Sequence, residues 1–185
     1  MNSVSTILYR RSLPADARDI YLCKQDMLFD GQVNNDFTDP FAVLAIEHIF
    51  SNIMEGVSQY ILAIHNQQVL GFSELVPRGT CDRTISHRYS YDTRYDYKLA
   101  NLFVSSKFQN QWIGHQLLAA MILDLETEKN IYLHVLGWNN RAQKLYKSLW
   151  FEKAWMYDTR EPGSPTYDVM STTIQSLSSY LRNDY

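Results

Sequence analysis

The clearest change of hydrophobic period along the chain falls between Leu99 and Leu125. Leu99, Leu102 and Val104 lie in an apolar run of strand length, and Ser105 to Gln111 are polar. From Ile113 the apolar positions Leu117, Leu118, Met121, Ile122 and Leu125 return at steps of three and four residues. The first spacing is that of a strand and the last that of one helical face, which predicts a helix from about Gly114 to Lys129. A loop that feeds a helix N-terminus is an anion site in outline. The first backbone N–H groups of a helix have no acceptor inside it, and the macrodipole adds partial positive charge there.

The remaining pattern predicts elements on either side. Ser5 to Arg11 reads as a strand, and Leu13-Pro14-Ala15-Asp16 opens a helix towards Met27, where an early proline costs little. Phe29 to Asp39 is rich in Asn, Asp and Gly and reads as loop. A second helix is expected from Pro40 to about Glu55, with Phe41, Leu44, Ala45, His48, Ile49 and Ile53 on one face. Gln59 to Ile64 and Val69 to Val76 are β-branched runs joined by the polar turn His65–Gln68, a hairpin. Glu74 lies inside the second run. A carboxylate in a strand either faces solvent or is placed for chemistry, and the usual exposure of lone charges predicts the solvent face. Tyr97 to Val104 and Ile131 to Leu136 flank the Gly114 helix, so strand, helix and strand form a right-handed parallel crossover. A helix over Asn140–Leu149 follows. Glu152–Tyr157 and Tyr167–Thr173 make an antiparallel pair around a Pro-Gly-Ser-Pro loop, and the tail from Gln175 to Tyr185 is a short helix or frayed.

Composition narrows the partners. At 185 residues and 45% apolar content the chain is expected to form one domain over 1–185 with a sizeable core. A net charge of −3 gives no bulk attraction to nucleic acid or to an anionic membrane, so an anion must be held locally. Tyrosines and arginines alternate between Pro77 and Asp96, but the interspersed aspartates dilute any field for nucleic acid. Cys23 and Cys81 lie far apart without CxxC spacing and read as reduced cytoplasmic thiols. The histidines are too scattered to compose a metal site. The segment MNSVSTILYRR lacks an apolar core of signal-peptide length, and no run reaches the length of a membrane span.

The run Val104-Ser105-Ser106-Lys107-Phe108-Gln109-Asn110-Gln111-Trp112-Ile113-Gly114 resembles motif A of the GCN5-related N-acetyltransferases (GNAT). Val104, Phe108, Gln109, Ile113 and Gly114 match, while Ser106 replaces a proline and Asn110 and Trp112 replace glycines. A second block is in register with it: Asn139-Asn140-Arg141-Ala142, Leu145-Tyr146 and Trp150-Phe151, with Trp150 where glycine normally stands. Two ordered blocks are far more specific than one glycine-rich match. The motif-bearing part is 97–157, and with weaker flanks the likeness covers Leu8 to Thr173. The resemblance implies an α/β (α+β) GNAT fold: a central mixed, mostly antiparallel twisted sheet of about seven strands, about four helices, and a splayed central parallel pair.

The same resemblance implies acetyl-CoA as cosubstrate, no metal, and direct acetyl transfer to a primary amine in a ternary complex. Phe103 and Val104 would hydrogen-bond the pantetheine arm, and backbone N–H groups of Gln109, Asn110, Gln111, Trp112, Ile113, Gly114 and His115 would hold the pyrophosphate. Asn139 touches the cofactor or caps its helix. Tyr146 is the acid that protonates the departing thiolate, a task that suits a neutral phenol. Many relatives carry a glutamate on the fourth strand where this chain has Ala100, which leaves Glu74, His134 or a water as the base. The left-handed backbone favoured at the two glycine positions should tolerate Asn110. Trp112 is the larger change: either its φ is already helical, with its N–H available and its indole turned outward, or the phosphate site is deformed, and retention is the expectation. Trp150 should reshape the turn into Phe151. The acceptor is a small-molecule amine, polyamine-like or other, or a peptide, and Phe29 to Phe50 would wall its site. Dimers are common in the family, which leaves a homodimer open. Two other classes compete: a catalytically silent acyl-CoA-binding sensor, and an interaction scaffold that uses the tyrosine-rich stretch.

Overall fold

The structure is a computed structural model that describes residues 6–28, 40–77, 95–157 and 166–183. The expected loop at Phe29–Asp39, most of the tyrosine-rich stretch, Cys81 and the Pro-Gly-Ser-Pro loop lie outside the described residues. The chain divides into two compact units, the first formed by Met1–Val76 with Asn101–Leu123 and the second by Pro77–Ala100 with Asp124–Tyr185.

In the first unit, strand β1 (Leu8–Arg11) pairs antiparallel with β2 (Gln59–His65), and β2 pairs with β3 (Gln68–Pro77). The hairpin turn is tighter than the sequence suggests: His65 pairs with Gln68, and Asn66 and Gln67 alone turn the chain at φ of 48° and 66°. Two successive positive φ values are the signature of a turn whose twist matches the strands. The second half of β4 (Tyr97–Val104) completes this unit's sheet. Tyr60, Leu62, Phe72 and Phe103 form one face, covered by Ala17, Ile20 and Cys23 of helix α1 (Ala17–Leu28) and Ile49 of α2 (Pro40–Met54). Burial raises the Cys23 thiol to about 12, so it stays an unreactive thiol. Helix α3 (Ile113–Ile122) packs against β1 and β2 with Ile113, Leu117, Leu118, Met121 and Ile122 buried, the face its period predicts.

Two helix expectations change. The buried side of α2 is Ala42 and Ile49, with Ile46 and Ile53 packed beside them, while Leu44 and His48 are exposed. Val43, Phe50 and Met54 are also exposed, so α2 is apolar nearly all round and its period could not single out one face. Helix α3 stops at Ile122 instead of Lys129. Beyond it, the carbonyls of Thr127 and Lys129 accept the N–H groups of Gln175 and Ile174 at 2.9 Å each.

In the second unit, the first half of β4 pairs parallel with β5 (Asn130–Leu136) through Tyr97–Leu99 and Ile131–Leu133. Strand β5 pairs antiparallel with β7 (Tyr167–Thr173), and β7 with β6 (Glu152–Tyr157). Strand β4 thus joins two runs into a seven-stranded mixed sheet of order β1-β2-β3-β4-β5-β7-β6. Helices α4 (Asn140–Ser148) and α5 (Ile174–Asn183) complete the set, so five α-helices are described where about four were expected. The Asn139 side chain caps α4 by accepting from the Ala142 N–H at 3.1 Å.

The turn after α4 is not reshaped, contrary to expectation. Trp150 adopts φ +63°, Trp150 N–H donates to Lys147 C=O at 3.1 Å, and Phe151 N–H donates to Tyr146 C=O at 3.0 Å. These are the two bonds of a Schellman cap, and the Phe151 ring lies edge-on to Tyr146 at 5.7 Å. The indole is 63% exposed, so it adds a left-handed penalty without much packing. That penalty is about 1–2 kcal/mol, and the extra unfolded-state freedom of glycine takes back about 0.5–1 kcal/mol. Trp150→Gly should therefore raise stability by up to about 1 kcal/mol in denaturant unfolding, with m unchanged.

Asp16 gives a second expectation. Its carboxylate accepts two hydrogen bonds from Arg10, both at 2.8 Å, and one from the Leu13 N–H at 2.6 Å. The Arg10 bonds hold its pKa below the ordinary 3.8. A folded-state pKa that is lowered gives stability that is present above the ordinary value and lost as pH falls through the folded value. Asp16→Asn should flatten that acid limb of the stability curve below about pH 4 while leaving the neutral-to-basic limb parallel to wild type.

Candidate functional site

The loop between β4 and α3 is held by backbone hydrogen bonds and by the side chains of Gln109 and Asp26. Ser105 N–H donates to Leu70 C=O at 2.8 Å and ties the end of β4 to β3. Gln109 Nε2 donates to Val104 C=O at 3.1 Å, and Phe108 N–H donates to Ser105 C=O at 2.9 Å, which closes a short 3-10 turn at Ser106–Phe108. Ser106 N–H donates to Asp26 of α1 at 3.3 Å. Asn110 and Trp112 then take φ of 64° and 63°. Both glycine positions of the motif thus keep a left-handed backbone without glycine. Trp112 is the N-cap of α3, and its carbonyl accepts the Gln116 N–H at 3.1 Å. Its indole turns outward, 57% exposed, and its ring centre lies 4.5 Å from that of His115. The backbone at Ile113–His115 forms the first turn of α3, where a helix carries N–H groups without intrahelical acceptors.

Gly71 positions the end of β4. A Cβ built there would stand 2.5 Å from Phe103 O and 3.2 Å from Val104 Cα. The close approach follows from a bulge: Ala63 pairs with Gly71 and Ile64 with Val69, so Leu70 is an extra residue on β3. Gly114, at the start of α3, is less constrained. A Cβ there would meet Leu102 and Val104 side chains at 3.9 and 4.0 Å, ordinary contact distances.

Glu74 is not on a solvent face. It is buried, and its carboxylate accepts from Ser58 Oγ at 2.8 Å, Tyr60 OH at 2.8 Å and Asn101 Nδ2. The expectation failed because β3 is an inner strand of the sheet and is buried along Leu70–Val76. Burial, with the Glu74 charge beside it, pushes the Tyr60 phenol well above its ordinary value, so Tyr60 stays a protonated donor. Sequence reasoning missed Ser58, Tyr60 and Asn101. The Leu70 bulge sets Glu74 opposite Tyr60, and a bulge has no signal in the hydrophobic pattern.

The other candidates belong to the second unit. His134 is half-buried on β5, edge-on to Tyr132 at 5.5 Å. Tyr146 is half-buried on α4, and desolvation of its phenol raises the pKa to about 12. Asn139 is occupied as the α4 cap. The candidates therefore fall into two groups: Glu74, Phe103, Val104 and Gln109–His115 in the first unit, and His134, Asn139 and Tyr146 in the second. Among the described residues, no group of three or more His, Cys, Asp or Glu is arranged to hold a metal ion.

A model of the acetyltransferase (GNAT) family matches residues 29–151. Among curated proteins, none matches the chain in sequence. Solved structures match its fold over nearly their whole length. A ribosomal-protein-alanine N-acetyltransferase from Brucella melitensis is 18% identical with a TM-score of 0.65, covering 90% of this chain and 99% of that one. An N-acetyltransferase from Staphylococcus aureus Mu50 is 14% identical with a TM-score of 0.64, covering 92% and 99%. The yncA protein of Salmonella typhimurium, solved with its cofactor acetyl-CoA, is 16% identical with a TM-score of 0.63, covering 92% and 95%.

The two glycines separate steric need from other need. Gly71→Ala should cost about 1–3 kcal/mol in denaturant unfolding, because the Phe103 carbonyl must move. Gly114→Ala, with room for its methyl, should leave stability unchanged or raise it by up to about 1 kcal/mol. Equal effects of the two substitutions would contradict the close approach at Gly71.

Proposed function

Because the chain belongs to the acetyltransferase (GNAT) family, we propose that it is an N-acetyltransferase that moves the acetyl group of acetyl-CoA onto a primary amine. The observation that carries this reading is the turn from Gln109 to Gly114, which keeps the left-handed backbone at Asn110 and Trp112 although neither is glycine. A backbone held there at an energetic cost suits a ligand that needs the main chain in that shape. The cosubstrate supplies a thioester carbonyl and a diphosphate. The diphosphate suits the N–H groups that open α3 and the partial positive charge at its N-terminus. Trp112 contributes its backbone to this turn while its indole lies outside it.

The remaining roles follow from the chemistry of the side chains. The main chain at Phe103 and Val104 binds the amide-bearing arm, with Gln109 bracing the Val104 carbonyl. A backbone N–H near Val104 polarises the reacting carbonyl. The acceptor amine must be neutral to attack, so Glu74, His134 or a water takes its proton. Tyr146 then returns a proton to the thiolate. A phenol whose pKa is raised to about 12 keeps its proton through the neutral range, so the donor form is the one present when the thiolate leaves. The acceptor is a small polyamine-like or other amine, or a peptide.

Thermal melting with increasing acetyl-CoA tests the binding step: the midpoint should rise steadily with concentration. No rise would remove the cosubstrate from the reading and favour a scaffold. Thiol release over a panel of amines tests the transfer, and binding without release would mark a sensor. Tyr146→Phe should lower kcat by about 100-fold and leave the acetyl-CoA-induced midpoint shift intact. Since the Tyr146 proton is lost only towards pH 12, the wild-type rate should show no downturn from this group below about pH 10. Undiminished turnover in the phenylalanine variant would take Tyr146 out of the mechanism.

A further inference from the structure

Three acids are buried among the described residues: Asp16 at 9% exposure, Asp168 at 8% and Glu74 at 8%. Asp16 is paired with Arg10 at 2.8 Å, and Asp168 with Lys153 at 2.6 Å. Among the described residues Glu74 has no cationic partner. Its neighbours are two hydroxyls and a carboxamide, from Ser58, Tyr60 and Asn101, each donating to it. A carboxylate withdrawn from water without a countercharge is costly unless it is fully hydrogen-bonded. Three neutral donors offset part of that cost. They leave a concentrated negative charge on one face of the unit, among Tyr60, Phe72 and Phe103.

The four polar groups are not equally enclosed. Ser58, Tyr60 and Glu74 are buried, whereas Asn101 is half-buried and is the one member open to solvent. Asn101 uses its amide nitrogen on Glu74, and among the described residues its Oδ1 takes part in no hydrogen bond. It stands on β4 two residues before Phe103, on the same strand face, since side chains alternate along a strand. The mouth of the cluster therefore offers an amide acceptor backed by a carboxylate. Hydroxyl and carboxamide donors cannot neutralise that charge, and the complementary guest is a compact cation with several N–H donors.

We propose that the Ser58–Tyr60–Glu74–Asn101 quartet recognises an ammonium group of the acceptor, with Asn101 Oδ1 as the contact and the Glu74 charge as the source of selectivity. The proposal rests on the acetyltransferase reading and names the residues of this chain that receive the acceptor's ammonium group. Asn101 is here a specificity-determining residue. Ser58 and Tyr60 are positioning residues that hold the carboxylate in place.

The experiment measures binding directly, so it does not depend on turnover. Butylamine, 1,4-diaminobutane and the uncharged 1,4-butanediol are titrated calorimetrically into the full chain, wild type, Asn101→Ala and Glu74→Gln. The acetyl-CoA-induced melting shift is recorded on the same samples. We expect the wild type to bind at least one amine and not the diol. Both variants should weaken amine binding by about 10- to 100-fold, the worth of one hydrogen bond to a charged group, with an unchanged acetyl-CoA shift. Amine affinity equal to wild type in both variants would overturn the proposal, as would a wild type that binds none of the amines or prefers the diol. If Glu74→Gln fails to fold, the half-exposed Asn101→Ala decides alone. Loss of the acetyl-CoA shift in the wild type, with amine binding kept, would instead strike the acetyltransferase reading and leave the quartet standing.

Discussion

The structure depends on a backbone conformation that most side chains avoid. At Asn110, Trp112 and Trp150 the chain turns through φ of 64°, 63° and 63°, where a Cβ crowds the following carbonyl. Asparagine tolerates that region, but tryptophan gains nothing local from it. Each site is held by what surrounds it. At Trp150 the holding bonds are the two Schellman hydrogen bonds and the Tyr146–Phe151 ring contact. At Trp112 they are the Gln116 N–H bond behind it and, before it, the Gln109 side chain on the Val104 carbonyl. At Trp150 the geometry of the turn is set by the elements it connects, and glycine is the inexpensive way to meet it.

That ordering explains what could be read from the sequence. The period of α3 named all five residues that the helix buries, and the boundaries of β6 and β7 were legible because turn-forming residues bracket β-branched and aromatic runs. The two motif blocks led to the family. Failures occurred where the local pattern could not decide. Helix α3 ends at Ile122 although Leu125 continues its period. The face of α2 was misassigned because apolar residues surround it. Trp150 was expected to reshape a turn that instead imposed its shape on Trp150.

Glu74 is the most instructive case. Lone carboxylates in strands are mostly exposed, so the pattern pointed outward. One extra residue at Leu70 shifts the pairing by one position, and a shift of one exchanges which residues share a face. The same bulge brings Gly71 under the Phe103 carbonyl. A single insertion thus sets both where the motif loop begins and which polar groups meet below the helices. Neither effect is visible in hydrophobic spacing, since Leu70, Phe72 and Leu75 are apolar in any register.

The outward indoles have an optical consequence. Trp112, Trp138 and Trp150 are 57%, 69% and 63% exposed in the folded chain. Their emission in the native state should already sit near the wavelength of hydrated indole. Denaturation will then move the emission of these three indoles little, and circular dichroism will report loss of the fold more sensitively than the light they give.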